Sequence, residues 1–79
     1  MTYKISILRR AQKQLARIPA DDYKKIKQAI QNLGHDPRPP GSKKLKGRPG
    51  WRIRQGNYRV IYEIQDDNLI LIAMINLIL

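Results

Sequence analysis

The first half of the chain changes from strand-like alternation to helical spacing of its apolar residues. Residues 2–7 alternate between apolar and polar side chains, which predicts a short half-buried strand. Apolar residues then recur every three to four positions, at Leu8, Ala11, Leu15 and Ile18. Pro19 ends this first helix because it lacks a backbone N–H. We expect Asp21 or Asp22 to cap a second helix, which ends at Gly34 as its C-terminal cap.

The second half predicts three strands after a basic, proline-rich loop at residues 35–50. Residues 51–54 and 58–64 have a period of two, with a turn between them, and residues 69–75 form a continuous apolar run. Such a run is typical of a strand that is covered on both faces. The order β-α-α-β-β-β therefore predicts an α+β fold, a single small domain over residues 1–79. Its mainly antiparallel sheet carries a helical hairpin on one face.

Nothing in the chain indicates a membrane or a secreted protein. The longest apolar stretch, Leu69–Leu79, is shorter than the roughly 20 residues that a spanning helix needs. The N-terminus lacks the apolar core of a signal peptide, and there is no cysteine for a disulfide. We therefore predict a cytoplasmic protein. The apolar end Leu77–Leu79 is expected to dock on a partner or on a second copy.

Charge is the strongest compositional signal. Sixteen Lys and Arg against six Asp and Glu give a formal net charge of +10 on 79 residues, which indicates a polyanionic partner. Between Asp36 and Glu63 there are eight cations and no acid. They are Arg38, Lys43, Lys44, Lys46, Arg48, Arg52, Arg54 and Arg59.

The predicted strand pairing places three of these cations on one face of the sheet. If Gly56 and Asn57 form a two-residue turn, Arg54 lies directly opposite Arg59, and Arg52 shares their face. The residues expected to pack beneath the helices are then Trp51, Ile53, Val60 and Tyr62. Like charges directly across a strand pair are destabilising. The presence of such a pair therefore favours the interpretation of this face as an anion-binding face. The alternative is a basic face that only keeps the protein soluble.

Other candidates for chemistry are weaker. His35, the only histidine, is interpreted as a loop or capping residue, and the acids stand at turns and caps without metal-ligand spacing. No metal and no small-molecule cofactor are predicted.

Three short segments of the sequence resemble a known protein family. Lys44-Leu45-Lys46-Gly47, Trp51-Arg52-Ile53-Arg54 and Asn57-Tyr58-Arg59-Val60-Ile61-Tyr62 resemble the RelE/ParE superfamily of bacterial and archaeal toxins, and most closely its RelE branch. The resemblance covers nearly the whole chain, including the element order. It implies a type II toxin–antitoxin toxin that enters the ribosomal A site and cleaves mRNA there by attack of a ribose 2′-OH on the adjacent phosphate.

The resemblance also assigns roles to residues. Catalytic positions of the family align with Arg52, Arg54 and Arg59. An arginine stabilises developing negative charge, but it stays protonated and is no general base. The further residues expected to bind RNA are Lys43, Lys44, Lys46, Arg48 and Tyr58. Residues 76–79 lack the basic stretch and the tyrosine that usually follow the last strand in RelE-like toxins. We therefore expect weak or absent cleavage, with RNA or ribosome binding retained.

Two readings stay open from the sequence. In the first, the chain is a ribosome-dependent endoribonuclease whose partners are the ribosome, mRNA and a cognate antitoxin with an acidic amphipathic segment. In the second, it is a non-catalytic module, either a ParE-like topoisomerase-binding toxin or an inactive relic that binds its antitoxin.

Overall fold

The computed structural model describes residues 2–77, which form one five-stranded sheet and two helices. The elements are β1 (Lys4–Ile7), α1 (Arg9–Leu15), α2 (Ala20–His35), β2 (Lys43–Lys44), β3 (Trp51–Gln55), β4 (Tyr58–Gln65) and β5 (Asn68–Asn76). The strand order is β1-β5-β4-β3-β2, in which only β1 and β5 run parallel. The predicted α+β class and mainly antiparallel sheet are confirmed. The predicted docking end Leu77–Leu79 extends beyond the described residues.

The core lies between the helices and one face of the sheet, called the inner face below. Ala11 and Leu15 of α1 and Ile26, Ile30 and Leu33 of α2 are buried there. From the sheet they meet Ile53, Val60, Tyr62, Leu69, Leu71 and Met74. Trp51 packs against this cluster while half-buried. The prediction that Trp51, Ile53, Val60 and Tyr62 pack beneath the helices is therefore confirmed.

The helix ends differ from the expectation. α1 stops at Leu15, three residues early, because the backbone N–H of Ile18 bonds the Leu15 carbonyl at 3.2 Å in a tight turn. Pro19 then occupies the N-terminal cap position of α2. Asp21 and Asp22 lie inside the first turn and do not cap the helix, so that prediction was wrong. Their carboxylates still suit the positive end of the helix dipole.

Gly34 has a packing role in place of the predicted capping role. It lies within α2, which continues to His35. A Cβ added at Gly34 would stand 3.2 Å from Ile5 Cδ1 and 3.5 Å from the Tyr3 carbonyl oxygen. The N–H of Tyr3 donates to the Gly34 carbonyl at 2.7 Å. Glycine therefore allows β1 to approach the end of α2 closely.

A β-bulge in β5 explains its unbroken apolar run. Ile61 pairs with Ala73 whereas Tyr62 pairs with Leu71, so Ile72 is an extra residue in β5. The bulge shifts the alternation by one, and Leu71 and Met74 both reach the inner face. The helices cover only this face, and Ile75 on the other is 44% exposed. The prediction that both faces of this strand are covered is therefore confirmed at Ala73 of the other face, which is 8% exposed, and wrong at Ile75.

α1 lies beside the C-terminal half of β5. β1 pairs with β5 only as far as Leu71, so Met74 lies beyond the reach of that neighbour. The backbone N–H of Met74 instead donates to the Gln14 side-chain oxygen of α1 at 2.7 Å. A side chain thus replaces a strand partner and fixes α1 next to the end of the sheet.

Candidate nucleic-acid interface

The β3–β4 hairpin has the predicted register. Gln55 pairs with Tyr58 across the turn at Gly56, whose φ of 59° suits glycine. Arg54 pairs directly with Arg59, and Arg52 pairs with Ile61. Since side chains alternate along a strand, the three arginines share the face opposite the helices, called the outer face below. The Cβ atoms of the Arg54–Arg59 pair are about 5 Å apart in such a register.

Arg59 of this arginine cluster has an enclosed guanidinium nitrogen. Its Nε atom is buried and has no hydrogen-bond partner within residues 2–77. The acid on the same face of β4 is Glu63, two positions beyond Ile61. Its carboxylate accepts a hydrogen bond from Gln65 at 3.0 Å. A buried guanidinium nitrogen without a partner requires an explanation, and an anion bound at this face would supply one.

Lys43 joins the arginine cluster through a strand that the sequence did not predict. The loop was expected to be irregular, but Lys43 and Lys44 form β2, in which Lys43 pairs with Arg52 and Lys44 with Trp51. Lys43 therefore shares the outer face with the arginines, whereas Lys44 points to the side of Trp51. Lys43 and the arginine cluster together span three adjacent strands of the outer face.

The outer face has an apolar floor between the cations. Ile61 and Ala73 are each 8% exposed although they do not belong to the helix-side core. With no helix on this face, the side chains around them must cover them. Arginine can do this because its methylene stem packs on apolar surface while its guanidinium stays accessible.

The other predicted RNA-binding residues lie away from the arginine cluster. Lys46 and Arg48 are exposed in the turn between β2 and β3. Tyr58 alternates with Arg59 and therefore lies on the inner face, half-buried. It lines a cavity of about 180 Å³ with Arg17, Gln14 and Asn76, next to the end of α1.

α1 is part of no site predicted from the sequence, in which its cations form the polar side of a helix. In the structure these cations line a second cavity, with Gln14 and Arg17 shared between it and the cavity at Tyr58. The signal was present in the sequence, because residues 9–17 contain four cations and no acid.

Two aromatic residues support the site without contributing to it chemically. The Tyr62 hydroxyl donates to the Pro37 carbonyl at 2.7 Å and ties the proline-rich loop to β4. Burial raises the pKa of Tyr62 to about 12, so the phenol stays protonated over the physiological range. The Arg38 guanidinium lies 5.1 Å from the centroid of the Trp51 ring, a cation–π contact that holds this loop cation against the start of β3.

The described residues offer little for other kinds of chemistry. Within residues 2–77 no group of three or more His, Cys, Asp or Glu side chains could hold a metal ion. In the same part of the chain, neither helix is long and apolar enough to cross a bilayer. A small basic domain with a cationic sheet face is the class of protein that these features define.

Comparisons with known proteins place this domain in a family. The model of the ParE toxin of type II toxin–antitoxin systems matches residues 5–76. A protein of Methanocaldococcus jannaschii named as toxin RelE1 is 35% identical to this chain. The match covers 96% of this chain and 90% of the length of that protein. The chain therefore belongs to the RelE/ParE superfamily of type II toxins, with RelE as the branch it resembles most.

Solved structures agree with this assignment. The crystal structure of the archaeal RelE–RelB complex from Pyrococcus horikoshii contains a chain that is 27% identical, with a TM-score of 0.86. The match covers 98% of this chain and 97% of that one. The crystal structure of the RelB–RelE antitoxin–toxin complex from Methanococcus jannaschii contains a chain that is 26% identical, with a TM-score of 0.73. That match covers 90% of this chain and 88% of that one.

Proposed function

We propose that this toxin is a ribosome-dependent mRNA endoribonuclease that inhibits translation, and that its outer face holds the RNA. The observation that supports this most is the Arg54–Arg59 pair, two like charges directly opposed on a sheet face, with the Nε of Arg59 buried and unpartnered. A phosphodiester between them would offset the repulsion and supply the missing acceptor. The site would operate in the cytoplasm, where the ribosomes are.

The proposed reaction is attack of a ribose 2′-OH on the adjacent phosphate. The new O2′–P bond closes a 2′,3′-cyclic phosphate while the P–O5′ bond breaks, and the 2′-OH proton passes to water as the leaving 5′-oxygen takes one up to give a 5′-OH. Arg52, Arg54 and Arg59 would hold the phosphate and stabilise the negative charge that develops on its oxygens in the transition state. Because a guanidinium stays protonated, these residues contribute electrostatic stabilisation and positioning and do not abstract the proton. The rigid sheet favours this role, since the pairing of β3 with β4 fixes their spacing.

Further contacts would extend the RNA path beyond the scissile phosphate. Lys43 lies beside Arg52 on the outer face, so we assign it to the neighbouring phosphate. Lys44, Lys46 and Arg48 would guide the strand along the edge formed by β2 and the following turn. Tyr58 would contact RNA from the other side of the hairpin, at its turn end.

Primer extension on translating ribosomes tests the proposal with the Arg59→Ala variant. We expect weak codon-positioned cuts with the native chain, as the sequence of residues 76–79 indicates, and a further loss of about 10²–10³ in cleavage rate with Arg59→Ala, because one charge-stabilising donor is removed. The variant Arg59→Lys keeps the positive charge but lacks the two-pronged guanidinium, so it shows which of the two matters. Lys24→Ala on α2 is the matched control for the loss of one cation. Equal cleavage by the native chain and Arg59→Ala would disprove the assignment.

We also propose that a cognate antitoxin with an acidic amphipathic segment neutralises this toxin. The net charge of +10 favours an acidic partner, and the similar chains from Pyrococcus horikoshii and Methanococcus jannaschii were solved in complex with RelB. Co-expression of the adjacent reading frame with a tagged toxin tests this. Recovery of the toxin alone would count against the partner.

A second candidate function is ParE-like poisoning of a DNA topoisomerase by protein contact. It is favoured by the family model that matches, which is that of ParE. An inactive relic that only binds its antitoxin is the remaining alternative. Inhibition of DNA gyrase supercoiling without mRNA cleavage would select the topoisomerase function, and the absence of both activities would select the relic.

A further inference from the structure

α1 carries a cationic side that faces away from the core. Ala11 and Leu15 are the buried residues of this helix, and the cations occupy the opposite side. These cations, called the α1 stripe below, are Arg9, Arg10, Lys13 and Arg17, the last in the turn that follows the helix. From Arg9 to Lys13 the stripe runs about 6 Å along α1, since a helix rises about 1.5 Å per residue.

The charges of the α1 stripe are not balanced locally. The first turn of α1 contains no acid, and Arg9 and Arg10 stand there against the positive end of the helix dipole. None of the four side chains has a hydrogen bond or ion pair to another residue within 2–77. A surface that only served solubility would be expected to mix both signs.

The stripe borders a depression that continues to the hairpin. Arg9, Arg10, Lys13 and Arg17 line a cavity of about 410 Å³ together with Gln14. Gln14 and Arg17 also line the adjoining cavity of about 180 Å³ that reaches Tyr58 and Asn76. The Gln14–Met74 hydrogen bond of 2.7 Å fixes the helix in this position. The two cavities share Gln14 and Arg17 in their linings, so they lie next to each other between α1 and the turn end of β3 and β4.

The charge of the lining favours a polyanion as the occupant. Four of the five residues that line the larger cavity are cations, and neither cavity has an acid in its lining. The aliphatic stems of these cations, with Ile18 and Met74 in the smaller cavity, supply the apolar part of the surface. Arginine, which supplies three of the four cations, binds phosphate through a two-pronged fork. Tyr58 at the far end can stack on a base.

We propose that the α1 stripe binds the phosphate backbone of a single-stranded RNA segment, leading to the hairpin at Tyr58. The RNA identity of this ligand rests on the proposed function. The binding site itself is separate, because the α1 stripe lies on the helical side of the sheet and the arginine cluster on the other.

The test compares two triple variants of the full chain that lose the same charge. Arg10→Gln, Lys13→Gln and Arg17→Gln neutralise the α1 stripe, and Lys24→Gln, Lys25→Gln and Lys27→Gln neutralise exposed lysines of α2. Binding of a fluorescent 20-nucleotide polyuridine is measured by anisotropy across a salt series. We expect the α1 variant to lose roughly tenfold or more in affinity near 0.1 M salt, and the slope of log K against log salt to fall by about 2 for three lost contacts. The α2 variant should keep the native slope.

Several outcomes overturn the inference. Equal losses in both triple variants would mean a general charge effect, and native binding by the α1 variant would remove the site. Native RNA binding combined with lost binding to polyglutamate would assign the stripe to an acidic protein. The double variant with Arg10→Lys and Arg17→Lys keeps the native charge and should retain most of the native affinity for polyuridine. Circular dichroism checks the fold of each variant. Because no cleavage is measured, a chain without ribonuclease activity can still confirm the α1 site.

Discussion

The two faces of this sheet are built from alternate residues of the same strands, yet they serve different purposes. On β4, Val60 and Tyr62 of the inner face are fully buried under the helices, while Arg59 and Ile61 of the outer face have no layer above them. The inner face supplies the apolar burial on which a chain of this size depends. The outer face places two arginines opposite each other at a cost in stability. The difference indicates that stability is concentrated on the inner face, and the outer face is the one to which we assign RNA binding in the proposed function.

The largest test of this comparison uses two apolar residues of β5. Leu71→Ala removes a fully buried inner-face side chain, and we expect a loss of about 2–5 kcal/mol in the free energy of unfolding. Ile75→Ala on the outer face, where the side chain is 44% exposed, should cost less than about 1 kcal/mol. Urea unfolding followed by circular dichroism measures both. Similar losses in the two variants would contradict the division between the faces.

A smaller effect is expected at the Tyr62 hydroxyl. Tyr62→Phe leaves the Pro37 carbonyl without its donor and should lower the free energy of unfolding by about 1–2 kcal/mol. Without this hydrogen bond, the rates of amide hydrogen exchange should rise more in the 36–50 loop than in β5. Ser6→Ala, at an exposed position of β1, is the control and should be near neutral.

The same hydroxyl predicts a dependence on pH. Burial raises the pKa of Tyr62 to about 12, above the value near 10 that it has when unfolded. Its contribution is therefore complete below pH 10 and is lost as pH rises toward 12, by roughly 1–3 kcal/mol. Tyr62→Phe should show a shallower decline over this range, which separates Tyr62 from the lysines that titrate there. Parallel pH profiles for the two proteins would contradict the assignment.

The smallest expected effect is a gain in stability on the outer face. Arg54→Gln removes one of two opposed charges and should raise the free energy of unfolding by up to about 0.5 kcal/mol, while it weakens RNA binding. Added salt should reduce this gain because it screens the repulsion in the native chain. Lys27→Gln on α2 is the control without an opposed partner. A loss of stability in Arg54→Gln would mean that the pair is not a strained binding site.

Much of the hairpin could be predicted because its structure is local. The two-residue turn at Gly56 and Asn57 fixes the register, and the alternation of apolar and basic residues fixes which face each side chain takes. The Arg54–Arg59 pair followed from these two facts alone. The helices could be predicted from their spacing, but their ends could not, since Gly34 is explained by the approach of Ile5 from a distant strand.

The sequence by itself determined the two helices, four of the five strands, the arginine cluster and the excess of positive charge, because each depends on neighbouring residues along the chain. Only the tertiary structure decided how separate segments combine. The bulge at Ile72 sets which residues of β5 face the helices, and β2 brings Lys43 beside Arg52. The hydrogen bond from Met74 to Gln14 places α1 next to Tyr58. These features depend on contacts between residues far apart in the chain, which local periodicity does not encode.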